Sequence, residues 1–123
     1  MDDISPGSTQ IFRAVGLNEA QDILEFGGFR CRPGYGYDVG KWFATSFEDA
    51  VRWGRAFQRF SRTRPFRIAA AWLPGDYLAE VEFHERWDAI GPAYYVREDQ
   101  LPILRQAGAV TIFDALFDAE DAR

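Results

Sequence analysis

Residues 40–54, GKWFATSFEDAVRWG, combine the chain's only lysine with aromatic and hydroxyl side chains. Trp42 and Phe43 are followed by Thr45 and Ser46, a mixture found both in walls of ligand sites and in protein cores. Ser46 precedes Asp49 by three residues, which is the pattern of a capping box that opens a helix. The residue types alone therefore leave a ligand site and ordinary core packing as alternatives.

Arginine is concentrated in one part of the chain. Six arginines fall within sixteen positions: Arg52, Arg55, Arg59, Arg62, Arg64 and Arg67. Guanidinium groups bind phosphate through paired hydrogen bonds, so the patch is compatible with a phosphate-bearing partner. Its first three members, however, repeat at i, i+3 and i+7 opposite apolar residues, as on a solvent-exposed helix face. With a net charge of −5, the sequence favours the exposed face over nucleic-acid binding.

Cysteine and histidine are too scarce for metal or disulfide chemistry. Cys31 is the only cysteine and His84 the only histidine. Neither an intramolecular disulfide nor a Cys/His metal cluster can be assembled from them. His84 stands among charged neighbours, so we expect it at the surface.

Length and composition predict one domain over residues 1–123, with flexible ends near 1–8 and 118–123. Hydrophobic residues make up 47% of the chain, well above the content of disordered segments. No apolar run approaches the roughly 18 residues of a membrane span, and no early basic stretch precedes one. We therefore expect a cytoplasmic protein without membrane contact, of undetermined oligomeric state.

Hydrophobic periodicity predicts an α+β fold. Alternating patterns predict strands at 10–15, 41–45, 66–73, 78–83, 93–96 and 109–116. Helical spacing predicts one helix from an Asn18 cap to Gly27, and a second over 47–60 that buries Trp53, Phe57 and Phe60. A short helical or turn segment is expected within 98–108. We expect two small, mostly antiparallel sheets packed together with two or three short helices.

The order of these elements resembles a known fold. The strand IFRAV, with its inward-facing Arg13, precedes a helix ending in GGF, a loop rich in glycine and tyrosine, and the strand GKWFATS leading into FEDAVRWG. This order is similar to that of ADP-ribosyltransferase-fold proteins, which include small bacterial toxins and other NAD-using transferases. The resemblance covers about residues 10–60 and implies an ADP-ribosyltransferase-like domain with NAD as co-substrate.

The resemblance also implies roles for individual residues. Arg13 matches the first-strand basic residue that contacts the NAD phosphates or ribose, with an ordinary ion pair as the alternative. The positions that support the nicotinamide pocket are matched by Phe43, Thr45 and Ser46. Ser46 has a helix cap as its alternative. Tyr35 or Tyr37, in the preceding loop, would offer a ring on which nicotinamide stacks.

The sequence departs from the family at the catalytic acid. Family enzymes place a glutamate on a late strand, where it orients the ribose as nicotinamide leaves. The corresponding stretch is GPAYYV, residues 91–96, and the expected position falls on Ala93 or Tyr94. Glu98, just past this strand, is therefore the candidate catalytic carboxylate, with a surface turn as its alternative. Arg13 is the other candidate catalytic residue. Without a carboxylate, stabilisation of the positively charged sugar on the order of a few kcal/mol is lost.

Two functions follow from the sequence. The first is an NAD-dependent ADP-ribosyltransferase or NAD glycohydrolase-like protein, as a toxin or a modifying enzyme. It would pass ADP-ribose to water or to an acceptor, with protein favoured over nucleic acid. The second is a non-catalytic nucleotide-binding or protein-interaction module on the same fold, because a fold does not dictate a function. The absent strand glutamate favours the second, and Arg13 with the GKWFATS strand favours the first.

Overall fold

A six-stranded antiparallel sheet organises the part of the chain described by the computed structural model, residues 7–31, 40–61, 65–87, 89–106 and 108–118. The strands are β1 (Thr9–Gly16), β2 (Gly40–Ala44), β3 (Phe66–Leu73), β4 (Glu82–Trp87), β5 (Gly91–Arg97) and β6 (Thr111–Ile112). The α-helices are α1 (Leu17–Phe26) and α2 (Phe47–Ser61), and short 3-10 helices span Gly75–Tyr77 and Leu101–Arg105. The α+β class is thereby confirmed. The expected flexible ends lie mostly outside the described residues.

The strand order is β4-β5-β2-β1-β3-β6, in one sheet rather than the two that we expected. β1 pairs with β3 along its whole length, from Thr9 opposite Leu73 to Gly16 opposite Phe66. β1 also pairs with β2, where Phe12 stands opposite Ala44. This single register pair joins the two halves, β4-β5-β2 and β1-β3-β6, and so makes one sheet of them.

Each face of the sheet has its own core, because alternate residues of a strand point to opposite faces. One cluster, on the α1 side, contains Ile11 and Val15 of β1 with Phe43 of β2. The other, on the α2 side, includes Ala44 and Trp53, against which Phe12, Ala14 and Trp42 pack. Strand β3, which lies between β1 and β6, is buried on both faces, which explains its largely apolar sequence FRIAAAWL.

The start of α1 differs from the prediction. The helix is capped by Gly16, without a side-chain cap bond, so the predicted Asn18 cap is wrong. β1 runs directly into the helix at Gly16, which places Asn18 inside the first turn. The predicted end is confirmed: Gly27 has φ 86°, in the left-handed region that favours glycine, and its N–H donates to the Ile23 carbonyl at 2.8 Å.

The start of α2 is confirmed at atomic detail. The Asp49 backbone N–H donates to Ser46 Oγ at 3.1 Å, as an N-cap requires. Trp53 is buried as predicted, but Phe57, one turn later, is 66% exposed, so its predicted burial is wrong. Phe57 lies at the border of the helix face that contacts the sheet, on the rim of the cleft described below. The side chain of Phe60 lies outside the described part.

Two predicted strands are displaced or shortened. The strand predicted over 78–83 is a turn in its first half, because the 3-10 helix after Pro74 continues into residues 78–80. The actual strand, Glu82–Trp87, pairs with β5 with an irregularity between His84 and Trp87. The strand predicted over 109–116 forms only at Thr111–Ile112. In the described ranges, no helix has the length and apolar character to cross a membrane.

Burial predicts contrasting effects of two phenylalanine substitutions. Phe43 is fully buried, and its ring meets Phe29 edge to face at 4.9 Å, whereas Phe57 is mostly exposed. We expect Phe43→Ala to lower the free energy of unfolding by about 3–5 kcal/mol, through lost contacts and a cavity. The matched Phe57→Ala should change it by less than about 0.5 kcal/mol. Urea unfolding curves would measure both, and equal losses would contradict this assignment of core and surface.

Candidate ligand-binding site

The sheet is nearly split between β1 and β2, and the side chain of Arg13 spans the split. Next to the Phe12–Ala44 pair, Nη1 of Arg13 donates to the backbone carbonyl of Trp42 at 3.1 Å. Arg13 shares the α1 face of β1 with Ile11, yet it also lines a cleft on the α2 face. A side chain thus supplies a connection between β1 and β2 beyond their one backbone pair.

Glu19 of α1 holds this arginine in place. Its carboxylate accepts hydrogen bonds from Nε of Arg13 at 2.8 Å and from Nη2 at 3.1 Å. Nζ of Lys41, a side chain only 7% exposed, lies 3.4 Å from the same carboxylate. Glu19 therefore links α1, β1 and β2, and the cluster of two cations and one carboxylate carries one net positive charge.

The surroundings of Glu19 keep it ionised. Burial raises the pKa of this carboxyl, but the charges and hydrogen bonds of Arg13 and Lys41 together lower it further than burial raises it. The net result is a pKa below the ordinary value of 4.5. The ion cluster is therefore intact throughout the neutral pH range.

Three of the four tryptophans line the cleft beside Arg13. The cavity has a volume of about 110 Å³ and is lined by Arg13, Ala14, Trp42, Trp53, Phe57 and Trp87. The rings of Trp42 and Trp87 are stacked, with centroids 3.9 Å apart and planes 11° apart. Flat aromatic walls with a guanidinium at the edge suit a planar ring that carries an anionic group. This volume is below the roughly 150 Å³ of an engineered cavity that holds benzene, so the cleft can enclose no more than one small ring.

The aromatic surface continues beyond the cleft. The ring of His84 lies 5.1 Å from Trp42 and 5.3 Å from Trp87, and the ring of Tyr95 lies 4.8 Å from Trp42. Nε2 of His84 is 2.5 Å from a carboxylate oxygen of Glu82. The His84 side chain is partly exposed, as its charged neighbours in sequence predicted. Its ring also belongs to the aromatic group around Trp42.

Most sequence-predicted residues of the nicotinamide pocket lie away from the cleft. Phe43 is on the opposite face of β2 from Trp42 and packs in the α1-side core. Thr45 and Ser46 follow the end of β2, where Ser46 caps α2. Tyr35 and Tyr37 lie outside the described residues. Of the predicted site residues that the structure describes, only Arg13 lines the cleft.

Glu98 and Ser46 lie at opposite ends of β2. β5 runs antiparallel to β2, with Gly40 opposite Arg97 and Ala44 opposite Ala93. Glu98 therefore follows the Gly40 end of the pair, in an exposed turn, while Ser46 follows the Ala44 end. Glu98 lines a second cavity of about 90 Å³, and the described residues that line the Arg13 cleft include no carboxylate.

The arginine-rich segment is used within the chain. Arg52 donates to the carbonyl of Ile90 at 3.0 Å, and Arg67 donates to the carbonyl of Asp114 at 3.1 Å. Arg55 donates to the carbonyl of Asp118 at 2.6 Å. Arg62 and Arg64 lie outside the described residues. These bonds anchor the C-terminal segment and the turn before β5.

What the cleft binds has to be inferred from its own geometry. The chain matches no protein-family model, no curated protein and no solved structure. Across the described ranges, no three His, Cys, Asp or Glu side chains are grouped as a metal site would require. The aromatic walls and the Arg13 cluster are therefore the features from which a function is argued.

Removing the Glu19 charge should destabilise the fold. Glu19→Gln removes the carboxylate that pairs with Arg13 and the buried Lys41. We expect the free energy of unfolding to fall by about 2–3 kcal/mol, between the values for exposed and buried ion pairs. The matched Asp99→Asn removes the carboxylate of an exposed pair with Arg97 and should cost at most about 0.5 kcal/mol. Urea unfolding at neutral pH would compare them. Equal losses of unfolding free energy would show that Glu19 contributes no more to stability than an exposed ion-pair carboxylate does.

The same charge predicts a pH dependence. Because the folded-state pKa of Glu19 lies below 4.5, its contribution to stability is present above that pH and is lost as the pH falls through the folded-state pKa. The difference in unfolding free energy between wild type and Glu19→Gln should hold constant from neutral pH down to about 5 and shrink below about 4.5. Unfolding curves across this range would measure it. A difference that grows in acid would contradict the sign of the shift.

Proposed function

We propose that this chain is a nucleotide-binding module on an ADP-ribosyltransferase-like fold, and that it holds NAD without cleaving it. The observation that carries the proposal is the joint placement of Arg13 and three indole rings around one cleft that lacks a carboxylate among its described lining residues. A planar ring and an anionic group are the two parts that all nucleotides share. The cleft offers a partner for each.

The aromatic walls supply the binding energy for the ring. Stacking of a base on an aromatic side chain is worth about 1–3 kcal/mol per base, and it tolerates different bases. The stacked Trp42–Trp87 pair presents such a surface already formed, which limits the side-chain freedom lost on binding. Since the cleft admits only one ring, the rest of a dinucleotide must lie outside it.

The cation cluster supplies the attraction for phosphate. Arg13 stands at the cleft and is oriented by its two bonds to Glu19, while Lys41 leaves the cluster with one net positive charge. A guanidinium held by a carboxylate pays little entropy to meet a phosphate oxygen. In this proposal Arg13 therefore positions the ligand.

The missing carboxylate argues against cleavage. Loss of nicotinamide places positive charge on the ribose, and a working site needs a carboxylate within hydrogen-bond reach of that sugar. Glu98 lines another cavity, and the family position falls on Ala93, which is buried, or on Tyr94. Glu19 is engaged by two cations. The adjacency of β1, with Arg13, to the β2 strand ending in Ala44 is the observation that keeps an active transferase as the second candidate.

Tryptophan fluorescence offers a direct binding test. Trp72 lies on β3, outside the cleft-lining set, so Trp72→Phe leaves a protein whose remaining tryptophans all line the cleft. We expect NAD and ADP-ribose to change this emission saturably. Trp87→Leu should weaken binding about tenfold through lost stacking, whereas the matched exposed-residue change Phe83→Leu should have little effect. Unchanged emission, or equal effects of the two variants, would reject the cleft as the site.

A nicotinamide-release assay separates the two candidate functions. We expect wild type to release no nicotinamide from NAD above the uncatalysed rate, with or without added protein acceptors, and Glu98→Gln to behave like wild type. An active transferase that uses Glu98 would instead release nicotinamide and lose about two orders of magnitude or more on Glu98→Gln, with NAD affinity nearly unchanged. That result would replace the binding module with the enzyme.

A further inference from the structure

A second cavity, unrelated to the nucleotide proposal, lies against the α1-side core. Its volume is about 90 Å³, and its apolar wall includes Phe29 and Leu101, which are both members of that core. The aromatic cleft belongs to the opposite face, with Trp42 and Trp53. The two cavities share no lining residue, so each can be tested without the other.

Two opposite charges at this cavity are not paired with each other. Glu98 and Arg105 both line it, and neither forms an ion pair with any residue in the described ranges. Arg30, the third charged lining residue, is occupied differently, because it forms two bonds with Asp22 at 2.7 and 3.1 Å. Within the described ranges, the cavity therefore presents one cation and one anion that form no ion pair.

Arg105 is held in position by the packing of its stem. The side chain crosses Gly28 so closely that a Cβ at that position would lie 2.6 Å from Cδ of Arg105. Its guanidinium then lies 5.0 Å above the centroid of the Phe26 ring, which also contacts Arg30 at 4.4 Å. A larger residue at position 28 would displace the stem, and the head rests on an aromatic ring, so both contacts favour this position of the exposed Arg105 side chain.

We propose that this cavity binds a small zwitterion, an α-amino acid with a branched apolar side chain. Its carboxylate pairs with Arg105, its ammonium group pairs with Glu98, and its side chain lies against Phe29 and Leu101. An anion alone would be repelled by Glu98, and a cation alone by Arg105. A cavity of about 90 Å³ is smaller than the roughly 150 Å³ that accepts benzene, which limits the side chain to the size of valine or leucine.

The chain's only cysteine provides the readout. Cys31 lines the same cavity, so a bound amino acid should slow its alkylation by iodoacetamide, measured by mass spectrometry of the intact protein. We expect L-leucine or L-valine to protect Cys31, with half-protection near the millimolar concentrations typical of a small ligand with two charged contacts. The methyl resonances of Leu101 should shift over the same concentration range, which keeps the test valid if alkylation is slow.

Ligand analogues and variants test each part of the proposal. Glycine lacks the side chain, isocaproate lacks the ammonium group and isoamylamine lacks the carboxylate, so each should require at least about tenfold higher concentration than leucine. Glu98→Gln and Arg105→Gln should each weaken leucine binding by about tenfold or more. The matched charge changes Glu85→Gln and Arg59→Gln, made outside the cavity lining, should leave it unchanged.

Three results would overturn the proposal. If about 50 mM leucine gives neither protection of Cys31 nor a shift of the Leu101 signals, the cavity takes no such ligand. The cavity would be a simple anion site if Glu98→Gln bound isocaproate more tightly than wild type does, and if wild type bound leucine no better than isocaproate. Equal protection by all amino acids, unaffected by either variant, would show that Cys31 reports a nonspecific effect. None of these outcomes bears on NAD binding in the aromatic cleft.

Discussion

The ion cluster of Arg13, Glu19 and Lys41 is the interaction on which the rest of the structure depends. β1 and β2 share one register pair, so the two halves of the sheet have little backbone in common at their junction. Arg13 bonds to the Trp42 carbonyl across this junction, and Glu19 fixes Arg13 and the buried Lys41 from α1. A buried charge such as that of Lys41 is costly unless it is paired. The need to pair it with Glu19 couples α1 to both strands.

The same junction creates the cleft. Where two strands do not form a continuous ladder, side chains rather than backbone fill the space between them, and here those side chains are a guanidinium and indole rings. The pairing of β4 with β5 and of β5 with β2 then brings Trp87 against Trp42. The β5–β2 register also places Glu98 at the Gly40 end of β2, opposite to the end that Ser46 follows. The sheet register thus assembles a binding surface and separates it from the candidate acid.

Local signals predicted the parts of this fold that local physics decides. The Ser46 cap, the Gly27 stop and the buried strand β3 depend on neighbouring residues, and all three are confirmed. Trp87 gave no local signal of its contact with Trp42, because that contact depends on two strand pairings and an irregularity in β4. Likewise, alternation shows that Phe12 and Arg13 face opposite sides, but not that β1 and β2 meet at a single pair. The hydrophobic pattern therefore could not show that the strands form one sheet rather than two.

One NMR sample tests the central claim, that the Arg13 cleft binds NAD without cleaving it. The chain has four tryptophans, whose indole N–H signals report separately on Trp42, Trp53, Trp72 and Trp87. NAD should shift the signals of the three cleft tryptophans and leave that of Trp72 in place, while no nicotinamide signals appear in the same solution over time. Nicotinamide that accumulates faster than in protein-free buffer, or cleft signals that do not move at saturating NAD, would contradict the account.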